Sequence, residues 1–249
     1  MAHRKTLRQE ALVIGHTKLG EQDLILTLLC ETGEKRSCVA KGARKPGGRL
    51  AARTELFSRT DFLLAVGKTL DIVSEAQVKD AHVRIRGDME RLCAASVIAE
   101  CARLVSFEDV EDPYVFAITD RALGACEEVS DQSHLDLVVA AYVMKVLGHS
   151  GWMPELDACI ACGDAAVTYF SPSFGGALCS SCAKSVAGAE RVGAPMIAWI
   201  RALIRQTFDA LEGVDVDIAT STALLGISHR WAATHLEARL KAFEFMLSL

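Results

Sequence analysis

No run of this 249-residue sequence is apolar for long enough to cross a bilayer. The longest, Leu137 to Met144, falls far short of the roughly 20 residues that a span needs. Met1 to Glu10 carries charges with no apolar stretch behind them, so no signal peptide is expected. Internal repeats and low-complexity linkers are also absent. Catalytic signatures are equally scarce: there is no G-x-G-x-x-G and no G-x-S-x-G. Gly42 and Gly47 have the glycine spacing of a phosphate loop, but Gly48-Arg49 stand where Lys-Ser/Thr is required. His235-Leu236-Glu237 matches the H-x-E half of a zinc deaminase, yet it follows the cysteine pairs, and Ala158 rather than proline precedes Cys159. His235 and Glu237 therefore read as surface residues of the last helix. No catalytic residue is assigned, and no enzymatic activity is expected.

What the chain does have is an ordinary globular composition, 51% hydrophobic and 24% charged. Its nine cysteines are an odd number, which argues against a disulfide framework and for a cytoplasmic protein with reduced thiols. Four of them fall in two pairs, Cys159-x2-Cys162 and Cys179-x2-Cys182, with sixteen residues between the pairs. Each pair places two thiolates on a tight turn. Two such turns supply four ligands and leave no open position, the pattern of a structural zinc site. One Zn2+ per chain is expected on Cys159, Cys162, Cys179 and Cys182. His149, ten residues before Cys159, could replace a ligand but reads better as a helix end beside Gly148.

The net charge of −5 hides an asymmetry: residues 1–87 sum to +6 and residues 88–249 to −11. Within the basic third, residues 35–59 hold Lys35, Arg36, Lys41, Arg44, Lys45, Arg49, Arg53 and Arg59 against one acid, Glu55. Such a segment can follow a phosphate backbone by displacing condensed counterions. The alternative is a solvated charged loop. These eight residues are the candidate DNA contacts. Phe57 and Phe62 lie in the expected fourth strand, so stacking residues are not assigned.

The first eighty residues read as strands. Glu10 to Ile14 is a short apolar run. Asp23–Cys30 and Lys35–Ala40 flank a Glu31-Thr32-Gly33-Glu34 turn, and 57–66 and 70–78 flank Gly67-Lys68. Five short strands with one long connection between the third and fourth fit an OB-type barrel. Beyond residue 82 the pattern turns helical: an apolar stripe over 88–107, a start at Asp112-Pro113, a cap at Ser133, a helix from Ala194-Pro195 to about Leu211, and a last helix capped by Ser228. The fold class is thus α+β: a five-stranded OB-type β-barrel (1–81), a helical domain (82–151 and 191–249), and a four-cysteine zinc module inserted in it (152–190).

In this order of parts the sequence resembles the RecO family of bacterial recombination mediators over essentially its whole length. The resemblance rests on Ala11-Leu-Val-Ile-Gly15, Asp23-Leu-Ile-Leu-Thr-Leu-Leu29 and Val39-Ala-Lys-Gly-Ala-Arg-Lys45. It rests most specifically on Gly151-Trp-Met-Pro-Glu-Leu-Asp-Ala-Cys-Ile-Ala-Cys-Gly163 with Phe174-Gly-Gly-Ala-Leu-Cys-Ser-Ser-Cys182. The sequence departs at Thr54-Glu55-Leu56-Phe57, where relatives often show Gln-Pro-Phe. The resemblance implies binding of single- and double-stranded DNA, annealing of strands, and action with RecR in loading RecA onto strands coated by single-strand binding protein. It also implies DNA repair and recombination in the cytoplasm, beside the nucleoid. Arg201 and Arg205 are noted as candidates for the acidic tail of the single-strand binding protein. A zinc-ribbon transcription regulator is the alternative. It would need a sequence-reading helix rich in Arg, Asn or Gln, and none stands out.

Overall fold

Two short hairpins and one long strand close the N-terminal barrel. The structure, a computed structural model, describes residues 5–249; the first four residues of the segment read for a signal peptide lie outside them. The strands are β1 (Thr6–Leu19), β2 (Asp23–Cys30), β3 (Lys35–Ala40), β4 (Arg59–Ala65) and β5 (Asp71–Asp80), closed in the order β1-β2-β3-β5-β4. All neighbours are antiparallel except β3 and β5, which pair in parallel over only Cys38↔Asp71 and Val39↔Ile72. This is the OB arrangement.

β1 is far longer than the apolar run Glu10 to Ile14, because its polar ends pair with β4 from Thr6 and with β2 as far as Leu19. Inside the barrel, Ala11, Val13, Leu26, Leu28, Phe62, Leu64 and Val73 form one core. Leu12, Ile14 and Leu29, which point the other way, are also fully buried. Helix α2 (Met89–Val105) packs against β1, and Arg103 on it donates to the Ile14 carbonyl. Strands covered on both faces read as continuous apolar runs, and these do. The β2–β3 turn needs glycine: Gly33 has φ 84°, and a Cβ there would lie 1.9 Å from the Asp112 carbonyl oxygen. Helices α1 (Val83–Arg86) and α3 (Pro113–Glu128) complete this unit, Met1–Glu127.

The second compact unit, Glu128–Leu249, is built on α4 (Gln132–His149). This helix is buried almost all round, from Leu135 to Leu147, which explains why it holds the longest apolar run. Its cap is Asp131, accepting from the His134 N–H, rather than Ser133. The small sheet β7-β6-β8 follows, with β6 (Val167–Ser171), β7 (Gly176–Cys179) and β8 (Glu190–Arg191). The helix opened by Pro195 is α5 (Ala194–Arg205). It stops where Gln206 becomes extended, and Thr207 then caps α6 (Phe208–Glu212). The cap expected at Ser228 is also corrected: α7 runs Ile218–Leu236 from Asp217, and Ser228 lies buried in its middle, with its Oγ bonded to the Leu225 carbonyl. A final α8 spans Lys241–Met246.

Candidate metal centre and nucleic-acid interface

The two cysteine pairs meet. One potential ligand atom from each of Cys159, Cys162, Cys179 and Cys182 lies within 4.8 Å of all the others. The first pair sits on a tight turn, in which Gly163 N–H donates to the Cys159 carbonyl and Cys159 N–H to the Asp164 carbonyl, both at 2.8 Å. Ile160 N–H bonds Ala177 on β7, the strand that ends in Cys179, and Cys182 opens a 3₁₀ turn directly after it. Gly176 closes the arrangement: a Cβ there would lie 2.2 Å from the Glu155 carbonyl oxygen.

The donor set fits a tetrahedral thiophilic ion. Metal–sulfur bonds near 2.3 Å place ligands about 3.8 Å apart on a tetrahedral edge, and Cys162 and Cys179 Sγ stand 3.8 Å apart. The chemistry of the cluster agrees. Burial pushes the Cys159 thiol up, but backbone N–H groups of Cys179, Ala161 and Cys162 outweigh it and bring it down to about 6. The last thiol resists ionisation: contacts with Cys162 and Cys179 push Cys182 up to about 12. Four thiolates this close need a cation among them. The thiols outside the cluster are different. Burial first, and then the charges of Glu100 and Glu127 respectively, push Cys101 and Cys126 up to about 12, as inert core residues.

The eight basic residues divide. Lys35, Arg36 and Arg59 are half-buried and committed to the fold. Lys35 Nζ donates to the Arg103 carbonyl at 2.9 Å. Arg36 bridges Glu34 at 2.8 Å and Asp71 at 2.9 Å. Arg59 holds Asp120 at 2.7 Å and stands 3.6 Å from Glu10. Lys41, Arg44, Lys45, Arg49 and Arg53 are exposed on the long connection between β3 and β4. Arg44 is tethered to the Gly20 and Glu21 carbonyls of the β1–β2 turn. Phe57 and Phe62 are buried, Phe57 just ahead of β4 with φ 69°, so neither can stack on a base.

Three further placements concern residues that the sequence read differently or not at all. Arg201 and Arg205 both grip Asp157, at 2.9 and 3.1 Å. His235 is half-buried: its ring lies 4.1 Å from that of Trp231 and 6.3 Å from that of Trp152, and burial lowers its pKa. Glu237 is exposed just past the helix end. A second gathering, Asp80, His82 and Glu127, was not visible in the sequence because its members are up to 47 residues apart. His82 Nδ1 is 3.0 Å from Glu127 and 3.8 Å from Asp80, and Nε2 is 3.8 Å from Asp120.

The family model described as "Recombination protein O N terminal" matches residues 1–82, and "Recombination protein O C terminal" matches 86–243. The chain is 37% identical over 195 residues to a DNA repair protein RecO of Roseiflexus sp. (strain RS-1), covering 77% of this chain and 66% of the relative. It is 32% identical over 242 residues to the DNA repair protein RecO of Bifidobacterium longum (strain DJO10A), covering 96% and 98%. A Thermoanaerobacter relative of the same name is 26% identical over 98% of both chains. Nothing in these likenesses supports a transcription regulator.

Proposed function

The chain belongs to the RecO family of DNA repair proteins, and on that premise we propose that it is a recombination mediator. It binds single- and double-stranded DNA, anneals complementary strands and, with RecR, helps load RecA onto strands coated by single-strand binding protein. The observation that carries this reading is the closed OB-type barrel with five exposed basic residues, Lys41, Arg44, Lys45, Arg49 and Arg53, on one connection. Exposed cations bind phosphates with little regard to sequence, as a mediator requires. Lys35, Arg36 and Arg59 support the barrel and contribute to DNA affinity only through the field they add.

The chain works by holding strands, and no residue is given a covalent step. Residues 1–81 form the DNA-binding domain. Residues 82–151 and 191–249 form the helical domain, with 152–190 inserted as a zinc module. Cys159, Cys162, Cys179 and Cys182 hold one structural zinc ion, which organises the module and leaves no ligand position for substrate. Acting on chromosomal DNA, the protein belongs in the cytoplasm with the nucleoid.

Annealing of complementary oligonucleotides tests the reading. Acceleration without ATP that falls as salt rises is expected, and strands that pair no faster than in buffer would refute it.

A further inference from the structure

We propose that a single DNA strand crosses the barrel along a trough beside β5, with Arg49 and Arg53 as a preset phosphate-binding pair, Lys41 and Lys45 at one end and Arg8 at the other. This rests on the reading that the barrel binds DNA, and it adds where the strand runs and what holds it.

The parallel pairing of β3 with β5 ends at Ile72, which leaves the rest of that β5 edge without a strand partner. The β3–β4 connection covers it with two arginines. Arg49 donates to the Ser74 carbonyl at 2.8 Å and Arg53 to the Ala76 carbonyl at 3.2 Å. These carbonyls are two residues apart on one strand, about 6.8 Å at strand rise, a spacing of the order of one phosphate step in an extended chain. Each guanidinium carries five donors and places one on β5. Both arginines are exposed, so the remaining donors are available while the anchor fixes each group in place.

Both arginines line a cavity of about 560 Å³ together with Leu63, Gln77 and Val78, and with Ala76, which is itself buried in the barrel core. Arg8 also lines it and holds Asp61 at 2.7 Å. A second cavity of about 450 Å³ is lined by Lys41, Lys45 and Arg49. Arg49 belongs to both, so the two form one path. Leu63 and Val78 beside cations suit a strand with uncovered base faces, and a duplex presents only its phosphates there. Lys35 and Arg36 on β3 line neither of these two cavities. Glu75 lies in the trough as the acid that Arg8 does not bridge, and it opposes a phosphate.

The test is fluorescence anisotropy of a labelled oligothymidylate with the full chain over a salt series. Arg49→Ala with Arg53→Ala is expected to weaken binding and to flatten the log–log salt slope by about 1.4, two contacts at roughly 0.7 each. Glu75→Gln is expected to tighten binding, a gain that misfolding cannot imitate. Lys18→Ala, an equal loss of charge on the β1–β2 hairpin, is expected to change less than Arg53→Ala alone. The path is overturned if Glu75→Gln and the arginine pair leave affinity and slope unchanged in a protein that still binds oligothymidylate; the barrel would then bind DNA by another face. Equal effects of Lys18→Ala and Arg53→Ala, or displacement of the strand by polyglutamate as readily as by unlabelled strand, would overturn it too. If the unaltered protein binds no oligothymidylate, the path and the DNA-binding reading fall together.

Discussion

The barrel and the cysteine module are built by different forces. The barrel closes its sheet on itself and fills the inside with Leu26, Leu28, Phe62, Leu64 and Val73, so its shape follows from apolar burial. The module has two short strands, a two-residue strand and a 3₁₀ turn around four sulfurs. It buries Leu156, Phe170, Ala177 and Leu178, a much smaller apolar set than the barrel's. On the proposal that a metal ion holds the four thiolates, that ion supplies much of its order. The barrel is therefore expected to lose charged residues on its connection without unfolding, and the module to lose its form with any one of the four proposed ligands.

The largest effect is expected from breaking the module. In small zinc domains the metal contributes on the order of 10 kcal/mol of folding free energy. Cys179→Ser should drop bound zinc from one per chain to near zero and open residues 152–190 to protease, with the barrel fragment intact. A variant that keeps the parent cleavage pattern would show that the module folds without metal.

A smaller effect, of opposite kind, is expected in the barrel. Leu28→Ala removes a fully buried side chain and should cost about 2–5 kcal/mol. Denaturant melts should show it as a global loss for the barrel, with zinc content unchanged.

Changing Lys41, Arg44, Lys45 and Arg49 together to alanine should hardly move the melting temperature, since the side chains are exposed. It should weaken binding to every oligonucleotide about equally and flatten the salt slope by roughly 0.7 per lost contact. An unchanged slope would mark the connection as merely solvated.

The mildest effect concerns pH. Burial pulls the His82 pKa down, but Asp120, Glu127 and Asp80 outweigh it, so the folded value lies above the usual 6.5. Around that ring stand the three carboxylates, Arg59 paired to Asp120, and Arg84, whose N–H and guanidinium contact Glu127. With the folded pKa raised, the stabilisation is complete below 6.5 and fades as pH rises through the folded value. Glu127→Gln should flatten the dependence of melting temperature on pH above 6.5, and a curve unchanged in shape would remove His82 from the account.

Much of this was legible in the sequence because the signals are local. The cysteine spacing is a ligand pattern in itself, and strand alternation with turn glycines gave five strands. What stayed hidden depends on long-range pairing. The polar ends of β1 become strand only because β4 and β2 are there to pair with them. The basic residues look equivalent along the chain, yet Arg36 meets Asp71 and Arg59 meets Asp120 only once the chain folds. Arg8, 27 residues before the basic segment, lines the trough with Arg49 and Arg53 through the β1–β4 register. Ser228 looked like a cap because serine favours caps, but Asp217 eleven residues earlier had already begun the helix.

We propose that this chain handles DNA by holding strands on a basic barrel. The most direct measurement is the rate at which complementary oligonucleotides anneal, without ATP and over a salt series, with the full chain and with its Lys41, Arg44, Lys45 and Arg49 variant. Acceleration by the full chain, a decline with salt, and a much smaller rate for the variant at every salt are expected. Annealing at the same rate by both proteins, with the same salt dependence, would contradict it.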